Sequence, residues 1–215
     1  MLANDTHIGA LVKAFKQGVR LSYKKNEFVI RPGEVPDSVY FIESGLVKAY
    51  NISKYGEENL LIIRKDGEVF PLIWAITGQE REIIYQTLMP TVVWRISRSQ
   101  FLDFLHHHHT SLLPMLDMVV EMYRIHSERI INLEYRTVRE RLVSFLITMA
   151  NRFGIEKDGR TIIDVPLRHQ DIASSINASR ETSSREIAFL ERKGLIDNEQ
   201  PLIIIKDLEK LKSFL

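Results

Sequence analysis

The sequence predicts an α+β protein: an antiparallel β-roll or jelly-roll barrel, then a long helix, then a C-terminal winged helix–turn–helix. Three observations support this order. Short alternating runs punctuated by glycine occupy residues 19–96, and a 3–4 apolar spacing follows from 99 to 134. Residues 170–196 then fit two short helices joined by a tight turn. We therefore expect three parts, with borders at 1–110, 111–136 and 137–215.

Length and composition limit the classes of protein. A chain of 215 residues can form one large or two small domains, and its 45% hydrophobic and 27% charged content is ordinary for a soluble protein. The absence of cysteine excludes disulfides, thiolate metal sites, cysteine-ligated iron–sulfur clusters and a thiol redox sensor. The N-terminus lacks a signal pattern, and the apolar run 69–76 is far below the roughly 18 residues of a membrane span. We expect a cytoplasmic protein that does not engage a membrane.

The first part reads as short strands separated by turns. β-Branched and aromatic runs lie between dipeptides that favour turns, namely Pro32-Gly33, Ser44-Gly45, Tyr55-Gly56 and Asp66-Gly67. Regularly spaced short strands of this kind predict an antiparallel barrel or sandwich.

The second part reads as one long dimerisation helix. Its apolar seam follows the spacing Leu112, Met115, Val119, Met122, His126, Arg129 or Ile130, and Leu133, with Ile125 widening it. Pro114 fits the first turn of such a helix. A seam of this length between two domains favours burial against a second copy of the chain. The alternative is that the helix packs only on its own barrel.

The third part begins with an amphipathic helix, VRERLVSFLITMANRFG, that we expect to end at Gly154. A short strand is predicted over 161–165. The tail at 200–206 predicts a strand of the kind that forms a wing.

The segment QDIASSINASRETSSREIAFLERKGLI carries the helix–turn–helix prediction. Its first helix places Ile172, Ala173 and Ile176 on one side. Asn177 stands where the chain must reverse, and asparagine tolerates the left-handed conformation. Ser179 is a natural N-cap for the second helix, whose inner face carries Ile187 and Leu190.

The second helix leaves Arg180, Glu181, Ser184 and Arg185 facing outward. Arginine can bond guanine O6 and N7 together, and glutamate can accept a hydrogen bond from cytosine N4, so this face suits a DNA major groove. The alternative is a solvated helix laced with Arg–Glu pairs. The net charge is only +1, so a few groups and two copies of the protein must supply the affinity.

This order of parts resembles the Crp/Fnr family of bacterial transcription regulators over nearly the whole chain. RPGEVPDSVYFIESGLVKAY (31–50) resembles the barrel signature of the family, VRERLVSFL its linker, and residues 170–196 its helix–turn–helix. The resemblance implies a homodimer that reads a palindromic promoter site with half-sites near TGTGA, and RNA polymerase as a further partner. It implies a DNA-contacting set of Ser179, Arg180, Glu181, Thr182, Ser184, Arg185, His169 and Gln170.

The effector pocket is where the sequence departs from the nucleotide-binding members. Glu68 matches the start of their Gly-Glu turn, but Pro71-Leu72 replaces its second Gly-Glu pair. Arg81 stands where a phosphate-binding arginine would be, and Glu82 replaces the hydroxyl residue beside it, which places a repulsive carboxylate near a phosphate. On the long helix, His126 and Ser127 match positions that touch the base. We therefore expect no cyclic AMP and no cofactor, but either a different apolar or anionic ligand or none.

Two other functions were considered. His106, His107, His108 and His109 point in four directions around a helix, with no nearby cysteine or carboxylate cluster, so we expect no metal site there but leave open a response to pH. A cupin-like enzyme needs histidines on barrel strands, and residues 19–96 contain none. A sensor that has lost DNA binding is disfavoured by the intact arginines of the second helix. We expect a regulator and not an enzyme; its targets, and whether it activates or represses, stay open.

Overall fold

The computed structural model describes residues 2–199 and 201–215. The chain forms two compact units. One contains the residues up to Asn51 together with Leu61–Tyr123, and the other contains Ile52–Leu60 together with Arg124–Leu215. The borders between the units fall within two neighbouring strands, Val47–Ile52 and Glu58–Arg64, and within the long helix Leu112–Tyr135. The three-part division at 110 and 136 stays a prediction.

The first unit contains the predicted antiparallel β-roll. Its elements are α1 (Asp5–Phe15), β1 (Val19–Tyr23), β2 (Phe28–Ile30), β3 (Ser38–Ser44), β4 (Val47–Ile52), β5 (Glu58–Arg64), β6 (Val69–Phe70), α2 (Leu72–Thr77), β7 (Ile84–Thr87), β8 (Thr91–Ser97), α3 (Arg98–His107) and the start of α4 (Leu112–Tyr135). Two four-stranded sheets have the strand orders β1-β8-β3-β6 and β2-β7-β4-β5. The pairings of β8 with β1 and β3, and of β7 with β2 and β4, are antiparallel.

The core of the first unit joins α1, α3 and one sheet. The ring of Phe15 lies 5.5 Å from that of Phe41 and 5.9 Å from that of Phe101, measured between centroids. All three side chains are buried. Full burial of a side chain of this size contributes about 1.5–3 kcal/mol, so α1, which the sequence did not single out, is an integral part of this unit.

The second unit contains the winged helix–turn–helix. After the end of α4 it comprises α5 (Val138–Phe153), β9 (Gly154–Lys157), β10 (Arg160–Ile163), α6 (His169–Ser175), α7 (Arg180–Arg192), β11 (Ile196–Glu199), β12 (Leu202–Ile205) and α8 (Leu208–Lys212). Its sheet has the order β11-β12-β10-β9. The wing is the pair β11 and β12. The strand predicted over 200–206 is β12, and Gln200 lies outside the described residues.

One local feature of this unit differs from expectation. The strand predicted at 161–165 is β10, which ends at Ile163 because the backbone then turns, with Val165 N donating to Ile163 O at 2.8 Å. α5 ends at Phe153, directly before Gly154, as predicted, and the backbone of Gly154 is extended. A Cβ at Gly154 would lie 2.3 Å from Ala150 O, so glycine is required there by the close approach of the backbone.

The long helix α4 has two different apolar faces. Met115 is buried and Met118 and Met122 pack on the core of the first unit. Two residues of the seam predicted from the sequence, Met115 and Met122, therefore face the core and were wrongly included. The solvent-exposed side contains the predicted Leu112, Val119, Ile130 and Leu133, together with Leu116, Val120, Tyr123 and Ile131.

The predicted seam mixed the two faces because the apolar surface of α4 is wider than a single stripe. Methionines on one side of the helix pack on the barrel, while leucine, valine and tyrosine at a 4–3–4 spacing from Leu112 to Tyr123 occupy another side. The sequence pattern alone does not separate two overlapping stripes. None of the described helices is long and apolar enough to cross a membrane.

We predict that Gly45→Ala destabilises the first unit more than Gly33→Ala. Both glycines have positive φ, +100° at Gly45 and +74° at Gly33, which costs an alanine about 1–2 kcal/mol. Only at Gly45 would the new Cβ also meet neighbours, 2.5 Å from Thr91 Oγ1 and 2.8 Å from Pro90 O. We expect Gly45→Ala to lose about 2–5 kcal/mol in total. Urea denaturation of both variants measures this, and equal losses would contradict the steric argument.

Candidate functional site

The turn between α6 and α7 is fixed by local hydrogen bonds. Asn177 adopts the left-handed conformation with φ of 50°, as predicted. Ala178 N donates to Ala173 O at 3.0 Å, which closes the end of α6. Ser179 is the N-cap of α7, and its Oγ accepts from Thr182 N at 3.1 Å. The predicted cap and turn are confirmed.

The inner face of α7 is buried. Ser183, Ile187 and Leu190 have at most 1% exposure, and Ile172 and Ile176 of α6 are buried as well. α7 packs on both α5 and α6. This burial determines which side of α7 remains available to a partner.

The outer face of α7 carries charge. Arg180, Glu181 and Arg185 are exposed, as is the cap residue Ser179, while Thr182 is half-buried. Hydrogen bonds from its own backbone N–H and from Ser179 hold the pKa of the Glu181 carboxyl below its usual range. The face therefore presents two guanidinium groups beside one ionised carboxylate.

His169 joins three elements. Its Nδ1 lies 3.0 Å from Ser184 Oγ on α7, and its Nε2 lies 3.2 Å from Asn198 Nδ2 on β11. Because the Asn198 amide nitrogen donates, Nε2 accepts, and Nδ1 carries the hydrogen that bonds Ser184. Asn198 N in turn donates to Glu191 Oε1 at 3.2 Å. The polar atoms of His169 and Ser184 thus already have protein partners, which the sequence did not predict.

A cleft beside α7 brings several predicted residues together. It is lined by Leu167, Arg168, His169, Gln170, Arg180 and Pro201. Gln170 is exposed there, and Arg168 adds a second guanidinium that sequence reasoning missed. The Arg168 backbone N–H donates to Asp171 Oδ2 at 3.0 Å, and its Nε lies 3.3 Å from the same oxygen. The sequence signal that could have identified Arg168 is its position directly before the predicted pair His169-Gln170.

Arg139 on α5 is the second residue that the sequence reasoning missed. Its Nε lies 2.7 Å from Glu186 Oε2, and its guanidinium carbon stands 3.6 Å above the centroid of the Phe189 ring. Both partners belong to α7. An arginine stacked on an aromatic ring and paired with a carboxylate orients the helix that carries both. The segment VRERL had indicated only a linker.

The predicted effector residues lie in different units. Glu68 accepts a hydrogen bond from Arg64 Nη1 at 3.1 Å, and both side chains are largely buried in the first unit. Arg81 and Glu82 are exposed on the segment before β7. His126 and Ser127 belong to the part of α4 in the second unit.

Two guanidinium groups lie near Tyr85. Burial raises the pKa of the Tyr85 hydroxyl, and the charges of Arg64 and Arg81 oppose that rise. The structure thus adds Arg64 and Tyr85 to the surroundings of Glu68 and Arg81.

The apolar segment after β6 is the helix α2 and not an open loop. Leu72 and Ala75 are buried in the core of the first unit. Arg98 donates from Nε to Ala75 O at 3.1 Å and from Nη2 to Ile76 O at 3.1 Å. The carbonyl groups at the end of α2 are satisfied in this way, and its inward side chains fill the core instead of facing a ligand.

The histidines of the run 106–109 make separate contacts in the structure. His106 and His107 end α3, and His107 Nδ1 lies 3.3 Å from Asp103 Oδ1. His108 stacks on Phe104 with 4.7 Å between ring centroids. Among the described residues no group of three histidine, cysteine, aspartate or glutamate side chains could hold a metal ion.

Both halves of the chain match known families. Residues 20–108 match the family model of the cyclic nucleotide-binding domain, and residues 140–214 match that of the Crp-like helix-turn-helix domain. The chain is 27% identical over 191 residues to the global nitrogen regulator of Nostoc sp., covering 86% of this chain and 83% of that protein. It is 25% identical over 202 residues to the CRP-like cAMP-activated global transcriptional regulator of Mycobacterium tuberculosis, covering 94% and 90%.

Solved structures share the fold. A mutant of CooA from Carboxydothermus hydrogenoformans superposes with a TM-score of 0.79 at 20% identity, covering 98% of this chain and 96% of that one. FixK2 from Bradyrhizobium japonicum superposes with a TM-score of 0.77 at 21% identity, covering 91% and 96%.

Proposed function

Because the chain belongs to the Crp/Fnr family of transcription regulators, we propose that it reads a palindromic DNA site as a dimer through the outer face of α7. That family is one of regulators and not of enzymes. The exposed Arg180, Glu181 and Arg185 on a helix whose inner face is buried are the observation that carries the proposal.

Base reading is assigned to the charged residues at the start of α7. We propose that Arg180 and Arg185 each bond the O6 and N7 atoms of a guanine, and that the ionised Glu181 accepts from a cytosine N4. Helices of this motif enter the major groove with their N-terminal residues against the base edges. By resemblance to the family, the half-site should look like TGTGA or a near variant.

Contacts with the DNA phosphates are assigned to the residues around the outer face of α7. We propose that Ser179, Thr182 and Gln170 approach DNA phosphates, with Arg168 at the same edge. His169 and Ser184 stand at this edge too, and their mutual hydrogen bond gives them the further task of holding α7 against the wing. With so few cations in the segment, non-specific binding should be weak and salt-sensitive.

The second copy of the chain would cover the exposed stripe of α4. Leu112, Leu116, Val119 and Tyr123 follow the a/d spacing of a two-stranded coiled coil, and Ile130 continues it one heptad later. Such a dimer presents two reading helices about one helical turn of DNA, ~34 Å, apart. Contact with RNA polymerase would follow from binding beside a promoter and stays a prediction.

The effector is proposed not to be cyclic AMP. Leu72 is buried where the nucleotide-binding members offer a glutamate to the ribose, and Arg64 already engages Glu68. Arg81 has Glu82 beside it. His126 and Ser127 remain candidates for effector contact. The effector would then be an apolar ligand or an anion other than a cyclic nucleotide, or the protein would act without an effector.

We predict that Arg180→Ala weakens binding to the preferred palindrome by about 1–3 kcal/mol and relaxes the preference at one base pair. The matched control is Arg192→Ala, which removes the same charge from the last turn of the same helix. Fluorescence anisotropy against the palindrome and its single-base variants measures both effects. Unchanged base preference in Arg180→Ala would refute the assignment.

We predict that wild type is a dimer at micromolar concentration and that Val119→Glu is a monomer, because the glutamate would bury an unpaired charge in the seam. Val119→Leu keeps the apolar surface and should stay dimeric. Analytical ultracentrifugation distinguishes the two. A monomeric wild type that still binds the palindrome tightly would contradict the dimer.

We predict that isothermal titration calorimetry detects no saturable binding of cyclic AMP or cyclic GMP, which places any Kd above about 1 mM. Addition of cyclic AMP should also leave the DNA affinity unchanged. A micromolar Kd that disappears in Arg81→Ala would show that the pocket binds a cyclic nucleotide after all.

A further inference from the structure

One arginine connects three segments of the second unit. Arg129, on α4, donates from Nη1 to Leu60 O at 2.6 Å and from Nη2 to Asn59 Oδ1 at 2.6 Å. Nη2 also lies 3.2 Å from Ser174 O, in the last turn of α6. The guanidinium thus links the long helix, the hairpin between β4 and β5, and the first helix of the helix–turn–helix.

The surroundings of this guanidinium are electrically neutral. Its three acceptors are two backbone carbonyls and one amide oxygen, and burial lowers the pKa of Arg129. Within the described residues no carboxylate is paired with it. A cation removed from water without a counter-charge is costly unless every donor is well placed. This contact is therefore sensitive to the relative positions of its three partners.

Arg124, on the same helix, differs from Arg129 in that it forms an exposed ion pair. Its Nη1 pairs with Glu128 Oε1 at 3.1 Å, and both side chains are about half exposed. Exposed pairs one helical turn apart contribute about 0.3–0.5 kcal/mol. Within the described residues Arg129 pairs with no carboxylate, and it reaches other segments instead.

The acceptor on α6 stands close to the reading helix. Ser174 lies three residues before Asn177, whose left-handed conformation starts the turn into α7. α6 and α7 pack on each other, so a tie from α4 to the end of α6 also restrains α7. The acceptors Asn59 and Leu60, at the start of β5, give α4 a second point of attachment through the same guanidinium.

We propose that Arg129 is a positioning residue that sets the direction of each reading helix relative to the long helix, and thereby the half-site spacing that the dimer accepts. This inference rests on the proposed function, since it presumes a dimer along α4 that reads DNA through α7. A rigidly held pair of reading helices fits one spacing and gains affinity from that preorganisation. A loosely held pair binds several spacings with less affinity for each.

The test measures spacing preference with full-length protein. Wild-type protein first selects palindromes from random DNA duplexes. Two kinds of derivative are then made from the selected palindrome. In one kind a base pair is added or removed at the centre, and in the other kind one half-site is destroyed. Arg129→Met retains the apolar stem and removes the donors; Arg124→Met is the control. For Arg129→Met we expect about tenfold weaker binding to the selected palindrome, which is about 1.4 kcal/mol, with half-site binding within about twofold of wild type. The preference between spacings should fall in parallel, and Arg124→Met should behave as wild type.

Asn59→Ala provides a second variant that leaves Arg129 bonded to Leu60 O and Ser174 O. It should shift the spacing preference in the same direction by about threefold, less than Arg129→Met. Hydrogen–deuterium exchange of the hairpin 52–60 should also be faster in both variants than in Arg124→Met.

Two results would overturn the inference. Spacing preference in Arg129→Met equal to that of wild type would show that Arg129 does not position the reading helix. An equal loss on palindrome and half-site would show that it only supports the fold of the helix–turn–helix. If wild type itself selects no duplex, the proposed function fails, which is a different outcome from either of these.

Discussion

The burial of one face of α7 is the contact on which the rest of the candidate site depends. Ile187 and Leu190 are almost completely buried against α5 and α6, and burial of such a side chain contributes about 1.5–3 kcal/mol. Rotation of α7 about its axis would expose these side chains, so the helix has one favourable orientation. Arg139 reinforces it by pairing with Glu186 and stacking on Phe189. The exposed guanidinium groups owe their position to this packing and not to contacts of their own.

The long helix serves two apolar surfaces at once. Its methionines pack on the core of the first unit, while the stripe that includes Leu116, Val119 and Tyr123 is exposed. Flexible methionine side chains adapt to an irregular barrel surface, whereas regularly spaced branched side chains suit a second helix. Packing on its own barrel therefore accounts for the methionine face only. The exposed stripe is the surface that the proposed second copy would cover.

Residues of the first unit engage the carboxylate of Glu68 and fill the core after β6. The carboxylate of Glu68 is engaged by the buried Arg64, and α2 fills the core with Leu72 and Ala75. These interactions lie within the unit and are consistent with the proposal that the effector is not cyclic AMP. The fold itself is shared with solved structures of other regulators.

The sequence by itself determined the order of the β-roll, the long helix and the winged helix–turn–helix, the turn at Asn177, the cap at Ser179 and the end of α5, because these depend on periodicity and on contacts within about four residues. Tertiary structure decided the rest. The partners of His169 are 15 and 29 residues away, that of Arg139 is 47 residues away, and Asn59 is 70 residues from Arg129. The tertiary structure also decided which apolar stripe of α4 faces the core of the first unit. Such contacts follow from how separate elements pack on one another, and a local pattern of residues does not contain that information.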